Sequence, residues 1–209
     1  MQQIGLFIVF DGIDGCGKST QLELAASRLA AGGRRVVTTR EPGGTPIAEM
    51  IRRAILSPQH AEMVSECELL LYAAARAQHV REKIAPAIAQ GAIVLCDRFD
   101  LATYAYQGFG RSIPLTLLTT INEIATGGVS PDCTLFFDIS VETAFSRLTA
   151  MEKAPDRLES GGLEFFRRVA EGYRTLAVQN PGKVIRLDAE KSIEELAEAV
   201  FEKIGELAG

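Results

Sequence analysis

Leu6-Phe-Ile-Val-Phe10-Asp11-Gly12-Ile13-Asp14-Gly15-Cys16-Gly17-Lys18-Ser19-Thr20 decides how this chain folds. An unbroken apolar run hands over to glycines at 12, 15 and 17, and then to a helix-favouring stretch. The spacing Gly-x-x-x-x-Gly-Lys-Ser is that of a phosphate-binding P-loop, whose successive backbone N–H groups turn inward around phosphate oxygens. Glycine permits those turns because it has no Cβ to clash. Lys18 is placed to reach β- and γ-phosphates, and the Ser19 hydroxyl to ligate Mg²⁺. A helix opening near Lys18 adds the positive end of its dipole. Gly12, Ile13, Asp14, Gly15, Cys16, Gly17, Lys18, Ser19 and Thr20 therefore form the expected cradle for a nucleoside triphosphate.

Working outward, further short apolar runs read as strands at Arg35–Thr39, Ala92–Cys96, Thr134–Asp138 and Val184–Leu187, after a first at Gly5–Phe10. Between them lie amphipathic stretches such as Ser19–Ala31 and Cys67–Ile84, with apolar residues recurring at three and four. Each connection is long enough for a crossover helix, so the sheet is expected to be five-stranded, parallel and covered on both faces. That is an α/β three-layer sandwich. No repeat or linker divides residues 1–209, which read as a single domain. In such sheets ligands bind beyond the carboxyl ends of the strands.

Composition narrows the function. The chain has 209 residues, 47% hydrophobic and 23% charged, with a net charge of −5. Without a basic excess, a nucleic-acid polymer is disfavoured as a partner. No apolar run approaches the length of a membrane span, and no secretory leader is read at the N-terminus. Cys16, Cys67, Cys96 and Cys133 form no C-x-x-C pair, so zinc is not expected and the thiols read as reduced in a cytoplasm. His60 and His79 fall in an expected loop and on an expected helix, with no carboxylate or Ser arrangement that would make either a general base.

After the third expected strand comes Asp97-Arg98-Phe99-Asp100. A carboxylate ending a strand opposite Ser19 suits a Mg²⁺ site, and an adjacent guanidinium suits a substrate phosphate. From here the chain resembles the thymidylate kinases. The resemblance rests on Asp97-Arg98-Phe-Asp-Leu-Ala-Thr103-Tyr-Ala-Tyr106-Gln107-Gly108, on Thr39-Arg40-Glu41-Pro42-Gly43-Gly44-Thr45, on Tyr72-Ala-Ala-Ala-Arg76 and on Asp156-Arg157-Leu158-Glu159. These occur in the family's order along nearly the whole chain.

The resemblance implies a P-loop kinase fold with a short lid at about 148–161, and ATP-dependent, Mg²⁺-requiring phosphorylation of dTMP to dTDP. It implies that Tyr72 stacks on thymine while Arg76, four residues on and so on the same helix face, meets the O4 carbonyl. Many relatives have Phe where this chain has Tyr72. It further implies that Arg98 clamps the dTMP phosphate, with Arg40 and Glu41 beside it, and that Thr103 and Gln107 lie near the base. Tyr106 is implied to pack where a ribose 2′-hydroxyl would sit, and Asp14 to face the sugar 3′-hydroxyl or the nearby metal. A homodimer is also implied.

Some relatives carry a catalytic Arg inside the P-loop, but Ile13, Asp14, Gly15 and Cys16 include none. The transition-state charge is therefore expected from the lid, chiefly from Arg157, with Lys153 and Arg147 supporting. Other small-molecule kinases remain as alternatives at this stage, as does an inactive nucleotide-binding relative. A GTP-dependent switch is disfavoured, because the guanine-reading tetrapeptide Asn-Lys-x-Asp is absent.

Overall fold

The first strand, β1 (Leu6–Asp11), is buried at every position, as an apolar run covered on both faces must be. The computed structural model describes residues 5–150, 157–158 and 162–208. β1 is followed by α1 (Lys18–Ala31), β2 (Val36–Arg40), α2 (Pro46–Leu56), α3 (Ser65–His79), α4 (Ala85–Ala89) and β3 (Ile93–Asp97). Next come α5 (Asp100–Thr103), α6 (Leu115–Thr126), β4 (Cys133–Asp138), α7 (Val141–Ala150), α8 (Gly162–Gln179), β5 (Val184–Asp188) and α9 (Ile193–Ala208).

The strands form one parallel sheet in the order β2-β3-β1-β4-β5. The observed strands match the expected ones to within a residue or two at each end. One expected helix differs: the amphipathic stretch to Ile84 keeps α-helical bonding only to His79, and 80–84 widens into a π-helical turn before α4. Another π-helical turn spans 104–110 directly after α5. Such wide turns are frequent at functional sites, because they rotate side chains out of α-register.

Register places the chemistry. Arg40 at the end of β2 and Phe10 near the end of β1 both pair with Asp97 of β3, so the three carboxyl ends lie side by side. At the C-terminus, Ser192 and Glu195 bond reciprocally as a capping box for α9, as the motif leads one to expect. No described helix is long and apolar enough to cross a membrane.

Candidate active site

The P-loop bends as its glycines allow. Gly17 has φ 88° and precedes α1 in the left-handed region, which β-carbon-bearing residues rarely adopt. Gly15 has φ 84°, and a Cβ there would come 2.4 Å from the Ala144 carbonyl oxygen. Lys18, at the first position of α1, is buried and reaches Asp14 Oδ1 at 3.3 Å. Burial opposes its charge, as does Arg98, but Asp14, Cys16 and Asp97 more than offset both and hold the ammonium above its ordinary value.

Arg98 immediately follows β3 and has φ 70°, a strained value for a residue with a side chain. That turn aims its guanidinium back over the P-loop. Nη2 donates to Asp14 Oδ1 at 2.8 Å and to the Tyr106 hydroxyl at 3.0 Å, while Nη1 donates to the Tyr173 hydroxyl at 3.1 Å. Nη1 also lies 3.5 Å from Asp11 Oδ1. Burial pushes the Asp14 carboxyl up, but Arg98 and Lys18 outweigh it and keep Asp14 well below the usual carboxylate range. Asp14 thus stands between the two cations at the centre of the site.

Ser19 Oγ donates to Asp97 Oδ2 at 2.7 Å, so the expected metal pair meets at one point. Among the described residues no three His, Cys, Asp or Glu side chains group to hold an ion. That sparse oxygen donor set fits Mg²⁺, which keeps several waters and takes substrate phosphate oxygens alongside one or two protein ligands.

Beside these residues opens a cavity of about 270 Å³. Asp14, Lys18, Ser19, Asp97 and Arg98 line one end of it, and Arg40, Glu41 and Arg52 continue the wall. Tyr72, Arg76, Thr103, Tyr106 and Gln107 line the rest with Leu56 and Leu158.

Arg76 forms its floor and is only 2% exposed. Its Nε donates to Glu41, its Nη1 to Thr103 and Asn122, and its Nη2 to the Phe99 carbonyl. A guanidinium has five N–H groups, so those bonds leave one N–H of Nη2 to offer.

Several expectations need correction or placing. Glu41, expected among the substrate contacts, does line the cavity, and its largely buried carboxylate is bonded to Arg76 and to His79 Nδ1 at 3.0 Å, so it also holds Arg76 in place. His79 therefore does have a carboxylate neighbour, supplied by a different element. Arg40 is mostly exposed and bonds Glu49 while still lining the cavity.

Arg157 was expected to carry charge to the transferred phosphoryl group, but its guanidinium is held elsewhere. It is 8% exposed, donates from Nε to the Ile55 carbonyl at 2.7 Å and from Nη2 to Glu68 at 2.6 Å. Glu68 is fully buried, and a buried guanidinium stays with its buried carboxylate because separating them strands a charge. Arg147 donates to the Ala189 carbonyl in the loop after β5. Lys153, like most of the expected lid at 148–161, lies outside the described residues.

Sequence reasoning missed Arg52, Leu56, Leu158, Glu68 and Asn122. Glu68 alone had a signal, since 68, 72 and 76 repeat at four and share a face of α3.

Along most of its length the chain is similar to known thymidylate kinases. A family model described as thymidylate kinase matches residues 10–200. The chain is 48% identical over 202 residues to a thymidylate kinase of Enterococcus faecalis, covering 96% of this chain and 95% of that one. It is 45% identical over 204 residues to one from Trichlorobacter lovleyi, covering 95% and 96%. The crystal structure of thymidylate kinase from Ehrlichia chaffeensis superposes with a TM-score of 0.77 at 33% identity, covering 96% of this chain and 98% of that one.

Proposed function

The chain belongs to the thymidylate kinase family, and from that premise we propose how its residues divide the transfer of a phosphoryl group from ATP to dTMP, giving dTDP and ADP. The observation that carries this division is the continuous cavity from Lys18, Ser19 and Asp97 to Tyr72, Arg76 and Gln107. Phosphoryl transfer asks a protein mainly for alignment and for positive charge.

Lys18 and the amides of Gly12 to Thr20 hold the donor phosphates. Ser19 and Asp97 would hold Mg²⁺, which when bound neutralises charge shared between donor oxygens. Arg98 clamps the acceptor phosphate, with Arg40 and Arg52 adding charge along the same wall. The acceptor phosphate is already ionised near neutral pH, so no protein general base is required.

Tyr72 stacks on the base, and the spare N–H of Arg76 meets the O4 carbonyl. Cytosine presents an amino donor at that position, which opposes donor to donor. Thr103 and Gln107 complete the base pocket, and Tyr106 fills the space beside the sugar. Asp14 faces the sugar 3′-hydroxyl while keeping Lys18 and Arg98 apart. Arg147 lies on the donor side. Arg157, itself within the lid stretch, is bonded to the Ile55 carbonyl of α2 and to Glu68 of α3, so the lid's charge at the reacting group falls to Lys153.

The protein acts as a cytoplasmic homodimer in this proposal. Leu70 on α3 and Leu117 and Ile124 on α6 are 58%, 46% and 70% exposed on helices that pack together, an apolar strip suited to a second copy. Four free cysteines suit a reducing compartment.

The test is an acceptor panel with ATP and Mg²⁺. We expect kcat/KM for dTMP to exceed that for dCMP and dGMP by about a hundredfold or more. Equal rates across the three acceptors refute the proposal.

A further inference from the structure

Glu68 is the one fully buried carboxylate on the face of α3 that carries Tyr72 and Arg76, and no step of the reaction uses it. Its Oε2 accepts from Arg157 at 2.6 Å and from Arg111 Nη2 at 3.2 Å, with Arg111 Nε 3.4 Å from Oε1. Two guanidiniums therefore fix both the position and the rotation of the carboxylate. Its Oε1 accepts the remaining bond, from Gln107 Nε2 at 2.8 Å.

Gln107 is 2% exposed and lines the base end of the cavity. Its amide has one donor end and one acceptor end, and either could in principle face the cavity. A carboxylate settles the matter, because it only accepts. Turning the amide oxygen toward Glu68 would set two acceptors against each other in a buried site, where a lost hydrogen bond is costly. Nε2 must face Glu68, and the amide oxygen is then the group Gln107 presents to the cavity.

We propose that Glu68 is a specificity-positioning residue: by locking the Gln107 amide it makes the base pocket an acceptor for the N3–H of thymine. The inference rests on dTMP binding its base between Tyr72 and Arg76. Thymine offers a carbonyl acceptor at position 4 beside an N–H donor at position 3. Cytosine offers an amino donor beside a lone pair. A donor from Arg76 with an acceptor from Gln107 matches thymine and mismatches cytosine at both positions.

The lock makes an unusual prediction for Glu68→Gln. Two guanidinium donors, at 2.6 and 3.2 Å, meet the Oε2 position against one long contact of 3.4 Å from Arg111 Nε at Oε1, so the new amide oxygen belongs at Oε2 and the new NH₂ faces Gln107. Gln107 must then reverse, bringing its own NH₂ into the cavity. The change is isosteric, and its expected result is a lower preference for dTMP over dCMP, by tenfold or more in the ratio of kcat/KM values, with KM for ATP unchanged.

The double variant Glu68→Gln, Gln107→Glu restores the preference. Its residue 107 accepts from residue 68 and still shows an oxygen to the base, while the pair keeps one carboxylate near Arg111.

The experiment measures both acceptors with the full-length single and double variants, each checked for a cooperative thermal transition. A dTMP preference in the single variant within twofold of the parent overturns the proposal. So does a matching fall for both acceptors, which marks a purely structural role. If the single variant does not fold, the double variant decides, since a folded swap without the parent's preference also overturns it. A parent that accepts dCMP as readily as dTMP is a different failure, that of the base-reading premise.

Discussion

Replacing Asp11 by Asn isolates an electrostatic cost built into the root of the P-loop. Asp11 is fully buried, and its Oδ1 accepts both the Tyr173 hydroxyl at 2.5 Å and the Gly12 amide at 2.9 Å. Its Oδ2 is buried without a hydrogen-bond partner among the described residues. Burial raises the carboxyl from its ordinary 3.8 to about 6, against the opposing pull of Arg98, Tyr173, Gly12 and Lys18.

A raised acid binds more protons folded than unfolded between those values. Its contribution to stability is therefore complete below about pH 4 and is lost as pH climbs through about 6. At roughly 1.4 kcal/mol per pH unit, the gap amounts to about 3 kcal/mol. An Asn carbonyl can keep both bonds to Oδ1. The unpartnered NH₂ it brings does not vary across this pH range, and the attraction of the ionised carboxylate to Arg98 is already contained in the value of about 6.

The assay is urea unfolding of parent and variant side by side at several pH values from about 4 to 7. Other titrating groups cancel in the difference. The variant is expected to gain on the parent by about 2.4 kcal/mol over that interval, most of the full gap. A difference that stays flat, or that moves against the variant as pH rises, refutes the reasoning.

Tyr72→Ala removes the stacking face and is expected to raise KM for dTMP roughly ten- to a hundredfold with KM for ATP unchanged, measured by steady-state kinetics. Ser19→Ala leaves Asp97 as the lone protein ligand, so half-maximal activity is expected at several-fold higher Mg²⁺ concentration in a titration at saturating nucleotides. Arg157→Met breaks a buried ion pair, although Arg111 and Gln107 still hold Glu68. The expected loss is therefore near the lower end for such pairs, about 3 kcal/mol by urea unfolding. Its kcat at low temperature is expected to remain within about tenfold of the parent, whereas a transition-state Arg would cost about a thousandfold.

Local rules reached a long way into this fold. The parallel sheet follows from apolar runs with crossover-length connections, and the P-loop from glycine spacing next to a strand. Both depend on neighbours in sequence, and both are found where expected, with β1 buried throughout and α1 opening at Lys18. The Tyr72–Arg76 pair and the Ser19–Asp97 meeting were also legible, the first from helical periodicity and the second from the convergence of strand ends.

Partnerships across elements were not legible, because a side chain's charge says nothing about which distant group will share its burial. Arg157 reads as a lid cation by position, yet folding takes it 89 residues back along the chain to Glu68. His79 reads as unpartnered, yet packing of α3 against the residues after β2 sets it beside Glu41. By itself the sequence determined the sheet, the phosphate cradle and the residue types available to read a nucleotide. Only the tertiary structure decided which of the charged groups face the cavity and which are consumed in holding others. The reason is physical: a buried charge must find its partner wherever the packed chain brings one.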